Sequence, residues 1–371
     1  MKMRIEQVKI HKIEMPLKQP FVTAVSTVLK RSLLITEIEF SEGITGWGEC
    51  SAFDMPWYTE ETTATSLYMI KDFLIPDLLE LKEISHPDDL TAMFDRYRGH
   101  HMAKASLETA FWDAFAKSLR KPLADVLGGR RREIEVGIAI GMQREMDALL
   151  FKVDEALKLG YKRIKLKVKP GEDVRVMAAV RLRFPDAPLM ADANSSYGLA
   201  DIERLKELDQ FGLMMIEQPL GARDFVEHAE LQKSLSTPIC LDESITSFED
   251  AKTAIALGSC KIIAIKYSRV GGLSQALKIH DYCKKHQMKV WAGGMVESGI
   301  GKAHNIALTT LDGFDIPGDI TESSRYWDKD IIRPEIELTG GKVIIPDKPG
   351  IGYEVNRAQL ERYTIETFKI T

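Results

Sequence analysis

Five stretches decide the reading of this chain: RIKLKVK (Arg163–Lys169), LMADAN (Leu189–Asn194), MMIEQP (Met214–Pro219), ICLDES (Ile239–Ser244) and IIAIKYSRVGG (Ile262–Gly272). In each, an apolar run reaches a charged residue. Those residues are Lys167, Asp192, Glu217, Asp242 and Lys266, spaced 25, 25, 25 and 24 residues apart. That interval is one strand plus one helix. The segments between them, such as Asp173–Arg183 and Phe248–Leu257, carry helical patterning, as does Glu145–Leu159 before them. Two further apolar runs, EVGIAIG (135–141) and MKVWAGG (288–294), bring the number to seven, with a weaker eighth near Phe314–Pro317. Strands alternating with helices form parallel sheets. The count exceeds the needs of a small doubly wound sheet and predicts an α/β fold, a modified (β/α)7β TIM-type barrel over residues 131–327.

Outward from the barrel the texture changes. Leu33–Phe40 (LLITEIEF) alternates apolar with polar, as a half-buried strand does. Pro20–Lys30 reads as a hairpin connection or a mobile loop. Lys104–Lys121 is apolar at helical spacing and stops before Pro122. After Trp327 the sequence turns extended and turn-rich. Residues 1–130 are therefore predicted to form an α+β capping domain, joined by the C-terminal tail 328–371.

The five charged residues predict a site. Strand C-termini of a βα barrel converge on one mouth, and an unpaired buried charge is expensive. Three acids flanked by two lysines make no apolar core. Asp192, Glu217 and Asp242 offer hard oxygen ligands suited to Mg²⁺, with Mn²⁺ or another divalent cation as a substitute. A lysine at each end then reaches opposite faces of whatever the metal holds. Loss of a proton next to a carboxylate gathers charge on two oxygens, which a cation stabilises. The lysine that takes the proton must be neutral, so a neighbouring cation has to lower its pKa; the opposite lysine, Arg269 and the metal are candidates. Alternation puts Lys165 one layer deeper on the face of Lys167, where it would bind the substrate carboxylate or a metal ligand. Lys169, before Pro170-Gly171, reads as a loop lysine.

Other signals are weaker. Among 371 residues, 44% are hydrophobic and 28% charged, and the formal net charge is -5, which gives no footing for a nucleic-acid partner. The N-terminus lacks the apolar core of a signal peptide, and no run of about 18 apolar residues predicts a membrane span. Cys50, Cys240, Cys260 and Cys283 are scattered, as reduced thiols are. A cytoplasmic enzyme acting on a small-molecule carboxylate, with no membrane partner, is expected. None of the eight histidines falls at a predicted barrel-strand end, and His100-His101 is read as surface. The glycine pairs Gly271-Gly272 and Gly293-Gly294 could seat an anion on backbone N–H groups, although turn geometry alone explains them. The aromatics Phe21, Phe53, Trp57 and Tyr58 read mainly as core, or as pocket lining if the N-terminal domain covers the barrel mouth.

The motifs KLK (165–167), DAN (192–194), EQP (217–219), DES (242–244) and IKYSRVGG (265–272), with PWYTEET, GSCKII and PGDI elsewhere, resemble the enolase superfamily over nearly the whole chain. Within it they are most similar to the branch of o-succinylbenzoate synthases and N-succinylamino acid racemases. The resemblance implies that Asp192, Glu217 and Asp242 bind Mg²⁺ and that Lys167 is the general base; enolase-superfamily sites are themselves a standard example of a Lys or His base working with Mg²⁺. Lys266 would stabilise an enediolate or act as the second acid/base. Phe21, Phe53, Gly294, Met295 and Tyr326 would line the pocket, Asn194 and Arg269 would support it, and Pro20–Lys30 would close it. The implied reaction is dehydration of 2-succinyl-6-hydroxy-2,4-cyclohexadiene-1-carboxylate to o-succinylbenzoate, in menaquinone biosynthesis. The alternatives are N-acylamino acid racemisation by two lysines, the two together, a dipeptide epimerase or muconate cycloisomerase, or a non-catalytic binding barrel. Family members also imply a homo-oligomer. The chain departs from the pattern at Ala264, Tyr267 and Ala292. Tyr267, beside Lys266, is expected to alter that lysine's orientation or pKa.

Overall fold

Seven parallel strands, Gly137–Ile140, Arg163–Lys167, Leu189–Asp192, Ile216–Glu217, Ile239–Leu241, Ile262–Ile265 and Lys289–Ala292, pair in sequence order in a single sheet. The structure, a computed structural model, describes residues 2–23, 26–81 and 83–371. Helices follow the strands, and Asp173–Arg183 and Phe248–Leu257 form with the boundaries the patterning predicts. The eighth run, 314–317, does not form a strand. Closure passes to the two residues after Pro317, whose ring leaves no ladder donor. Gly137 N donates to Gly318 O at 2.7 Å, and Asp319 N donates to Ala292 O at 2.9 Å, so residues 318–319 bridge the first and seventh strands.

The second sheet is antiparallel. Its strands lie in the order Thr364–Ile370, Ile5–Val22, Thr27–Phe40, Thr45–Cys50, so the C-terminal tail adds its outer strand. Of Pro20–Lys30, residues 20–22 and 27–30 are the paired ends of the two long strands, and Ala24 and Val25 lie outside the described residues. Between this sheet and the barrel runs the helix His101–Ser118, buried at every position from Met102 to Ala116. Its lack of a polar face follows from contact on both sides. The strand Thr45–Cys50 crosses it so closely that a Cβ on Gly46 would lie 2.0 Å from Ala110 O, and one on Gly48 2.1 Å from Ser106 O. Only glycine permits that approach. All four cysteines are free and buried, and no helix among the described residues is long and apolar enough to cross a membrane.

The C-terminal helix Arg357–Tyr363 is tied to the antiparallel sheet through Glu37, which is fully buried. Glu37 pairs with His11 at 3.0 Å and Arg357 at 2.7 Å. Burial alone would raise its carboxyl, but the hydrogen bonds from His11 and Arg357 and the charges of Arg357 and Lys9 outweigh that and hold it down at about 2. Because the folded value is depressed, the stabilisation is complete above the ordinary carboxylate range and is lost as pH falls through the folded value. Glu37→Gln is therefore expected to lower the unfolding free energy at pH 7 by about 1–3 kcal/mol. Urea melts at pH 7 and pH 3 check this: the gap between the two proteins should narrow in acid, and a constant gap would refute the electrostatic account.

Candidate active site at the barrel mouth

The interval of 25 residues becomes lateral adjacency. Lys167 and Asp192 are Cα partners in the sheet, as are Asp192 and Glu217, and Asp242 lies two residues past Cys240, the partner of Glu217. All three acids are buried. Backbone geometry after the strand ends is unusual: Asn194, Ser195 and Gln218 have φ of 43°, 61° and 40°. Such conformations persist only where surroundings enforce them. At Gln218 the enforcement is visible, because its Oε1 accepts from Asp242 N at 3.0 Å and Ser244 N at 3.2 Å, fixing one acid-bearing loop to the next.

Lysines stand among the acids. Lys167 Nζ lies 2.6 Å from both Asp192 Oδ2 and Asn194 Oδ1. Lys266 Nζ, at the other end of the row, lies 2.9 Å from Asp242 Oδ2. Lys165 Nζ sits deeper, 3.4 Å from Asp192, 3.2 Å from Glu217 and 2.7 Å from Asp319. Burial would lower the Lys165 ammonium, but Asp319, Glu217 and Asp192 together hold it well above its usual range, so it stays charged. Asp242 is the converse: burial would raise it, but Arg269, Lys266 and Lys165 hold it well below the usual carboxylate range. Glu217 is pushed well above that range, first by burial and then by the charge of Asp192.

That asymmetry tests the acids as a cation site. Among the described residues no three acidic, histidine or cysteine side chains are already gathered into a metal cage, and lysine ammonium groups stand among the carboxylates. Yet Glu217 Oε2 is buried and accepts no hydrogen bond, although Lys165 Nζ is 3.2 Å away. A buried carboxylate oxygen left open, beside two more carboxylates, fits a hard divalent cation. Asp192, Glu217 and Asp242 would hold it.

One cavity, enclosing about 670 Å³ including its mouth, is lined by Lys165, Lys167, Asp192, Asn194, Asp242 and Lys266, and also by Phe21, Phe53, Gly294, Met295 and Tyr326. Every residue read as pocket lining thus lies in the same space as the lysines. Glu217 lies behind Lys165, and Arg269 faces a neighbouring groove. Among the described residues no histidine lines the cavity.

One expectation needs correction, and two residues expected to influence Lys266 find their places. Arg269 stands beside Lys266 and shares Asp242 and Tyr58 with it. Its guanidinium pairs with Asp242 Oδ1 and donates to Tyr58 OH at 2.5 Å. The hydroxyl of Tyr267 donates to Gly301 O at 3.1 Å, away from the lysine, as the chain turns into the short helix Tyr267–Val270 immediately after Lys266. His100 and His101 are half-buried in the groove beneath the capping loop rather than free at the surface, and burial brings His101 down to about 4.

Tyr58, read mainly as core or conditionally as pocket lining, does line the cavity, and its bonds to the charged groups were not foreseen. Its hydroxyl accepts from Lys266 at 2.7 Å and from Arg269, and donates to Asp242 at 3.0 Å. Its only sequence signal is the PWYTEET motif, which says nothing of contact across 184 residues. Asp319, in PGDI, was missed as a site residue, because its contacts too join distant parts of the chain. It holds Lys165 and pairs with Arg163 at 2.5 Å.

Comparison with known proteins fits this geometry. Residues 5–128 match the family described as "Mandelate racemase / muconate lactonizing enzyme, N-terminal domain", and residues 149–359 match "Enolase C-terminal domain-like". An o-succinylbenzoate synthase of Geobacillus stearothermophilus is 52% identical over 364 residues, 98% of this chain and 97% of the relative. An N-succinylamino acid racemase of Thermus thermophilus is 43% identical over 363 residues, 98% of each. A solved enolase-superfamily structure from Listeria innocua superposes with a TM-score of 0.96 at 44% identity, over 99% of both chains.

Two outcomes follow. A divalent cation at a hundredfold excess over its Kd adds about 2.7 kcal/mol to the folded state. Mg²⁺ should therefore raise the Tm of the wild-type protein, EDTA should reverse the rise, and Glu217→Gln should abolish it in differential scanning calorimetry. Tyr58→Phe keeps the ring and deletes one partner each of Lys266, Arg269 and Asp242; it should leave the Mg²⁺-induced rise in place while impairing proton transfer through Lys266.

Proposed function

The chain belongs to the enolase superfamily, whose members generally use a divalent metal, and on that premise we propose that it is an Mg²⁺-dependent o-succinylbenzoate synthase of menaquinone biosynthesis. The observation that carries the reading is the placement of Lys167 and Lys266 at opposite ends of a row of buried carboxylates, both facing one cavity. When bound, Mg²⁺ supplies positive charge against the substrate carboxylate as it gains electron density.

The chain's own groups do the rest. Lys167, in its neutral form, removes the C1 proton next to the carboxylate and leaves an enediolate. The C6–oxygen bond then breaks on the same face, and the Lys167 ammonium returns its proton to the departing hydroxide, so water leaves and the ring becomes aromatic. Proton and leaving group depart from one side, so one base serves both steps. Lys266, as an ammonium, stabilises the enediolate from the other side. Lys165, kept charged by three acids, adds fixed positive charge beneath the site. Phe21 and Tyr326, whose rings stand edge to face at 6.4 Å, shield the cavity from water.

N-succinylamino acid racemisation is the second reading. It is supported by the 43% identical racemase relative and by Lys266, which is placed as Lys167 is, against a carboxylate at the cavity wall. The two reactions differ in what they need from Lys266. Dehydration needs its charge, whereas racemisation needs it to carry a proton.

Purified protein with Mg²⁺ is to be assayed against the cyclohexadiene substrate by ultraviolet absorbance and against N-succinyl-phenylalanine by polarimetry. Lys167→Ala should lower dehydration by about 10²–10⁴-fold. Lys266→Arg should spare dehydration more than racemisation. Absence of dehydration in the wild type would overturn the synthase assignment.

A further inference from the structure

The turn after Lys266 packs against a carboxylate of the chain's own, held by the amides that follow the glycine pair rather than by the glycines' N–H groups. Glu108, on the helix His101–Ser118, is fully buried and aims at the first turn of the helix Leu273–Lys285. Its Oε2 accepts from Leu273 N at 2.8 Å, and its Oε1 accepts from Ser274 N at 2.7 Å and from Trp112 Nε1 at 2.8 Å. A carboxylate at a helix N-terminus satisfies amide donors that lack partners within the helix. Gly272 has φ of 123°, and a Cβ there would lie 2.3 Å from Glu108 Oε2, so the turn is built around this contact.

Lys266 begins this link. Arg269 N and Val270 N donate back to Lys266 O at 3.0 and 3.1 Å, Gly272 N donates to Tyr267 O at 2.8 Å, and the chain then enters the helix at Leu273. One end of the link is anchored in the barrel strand Ile262–Ile265. The other ends in two glycines of positive φ, Gly271 and Gly272, which resist bending least. Glu108 holds that soft end, and it does so from a helix buried all round.

We propose that Glu108 is a positioning residue for Lys266: by fixing the first turn of the helix Leu273–Lys285 from the capping domain, it sets the direction in which Lys266 reaches the substrate. Lys167 sits on a different strand, Arg163–Lys167, and none of the contacts of Glu108 reaches it. The consequence is an asymmetry. Loss of the Glu108 carboxylate weakens chemistry on the Lys266 face and spares the Lys167 face. This rests on the reading of the two lysines as groups serving opposite faces of one substrate.

The test uses the full chain with Mg²⁺ in D₂O and the two enantiomers of N-succinyl-phenylalanine taken separately. Loss of the α-proton signal by NMR at early times reports each lysine alone. Glu108→Gln is expected to slow exchange of one enantiomer at least tenfold more than that of the other. Asp113→Asn is the structural control. Asp113 lies on the same helix and accepts from Trp47 N at 2.9 Å and Ile351 N at 2.8 Å, away from the Lys266 link. Equal slowing of both enantiomers in Glu108→Gln, or the same asymmetry in Asp113→Asn, would overturn the proposal. If the wild-type protein exchanges neither enantiomer, the two-lysine reading fails, and amide hydrogen exchange still decides whether Glu108 fixes the link from Lys266 to the helix Leu273–Lys285. Glu108→Gln should expose the amides of residues 267–275 while leaving those of 298–302 protected, and unchanged protection at 267–275 overturns it. Should Glu108→Gln fail to fold, Trp112→Phe removes one of the three hydrogen bonds and should give the same asymmetry, reduced to about two- to threefold; its absence there counts against the proposal equally.

Discussion

Everything at the barrel mouth depends on the interlocked charge of Lys165, Lys167 and Lys266 with Asp192, Glu217, Asp242 and Asp319. Charges at the ends of buried strands are costly unless each meets an opposite charge with good geometry. Here nearly every group does; among the described residues Glu217 Oε2 is left without a hydrogen bond, and so is Oε2 of Glu243, next to Asp242. Stability and chemistry are therefore coupled: the network that tolerates burial of the charges also keeps Lys165 protonated and Asp242 ionised.

The barrel does not complete this network alone. Tyr58, from the capping domain, joins Lys266, Asp242 and Arg269 through one hydroxyl. Two buried carboxylates of the same domain bind barrel helices at their first turns. Glu108 holds the helix after the sixth strand, and Glu49 accepts from Ser298 N and Gly301 N at the helix Gly299–Leu308. Both are raised toward neutral pH by burial, Glu108 to about 7 and Glu49 to about 8, despite the donors they face. The capping domain thus lines the pocket and also fixes the loops that carry its charged groups.

Much of this was legible in the chain itself. A period of 25 residues placing Lys167, Asp192, Glu217 and Asp242 at apolar run ends is a statement about strands, because each βα unit returns the chain to the same end of the sheet. The glycine pair at 271–272 was legible as a tight turn; the carboxylate beside it is held by the next two amides, Leu273 N and Ser274 N. Illegible were the contacts of long separation. Tyr58 with Asp242, Glu108 with Leu273 and Asp319 with Lys165 join residues with no shared periodicity, and a tyrosine in a turn reads as packing until the domains meet.

The sequence by itself determined the barrel, the row of acids and the two lysines, since local hydrophobic periodicity dictates strands and strand ends dictate convergence. Only the tertiary structure decided which neighbour each charge faces. Arg269 turned to Asp242 and Tyr58, Tyr267 turned away to Gly301, and the eighth barrel position closed through Gly318 and Asp319. The reason is physical: side-chain direction and pairing at a buried mouth are set by packing between two separately patterned domains, and no period within one chain segment encodes it.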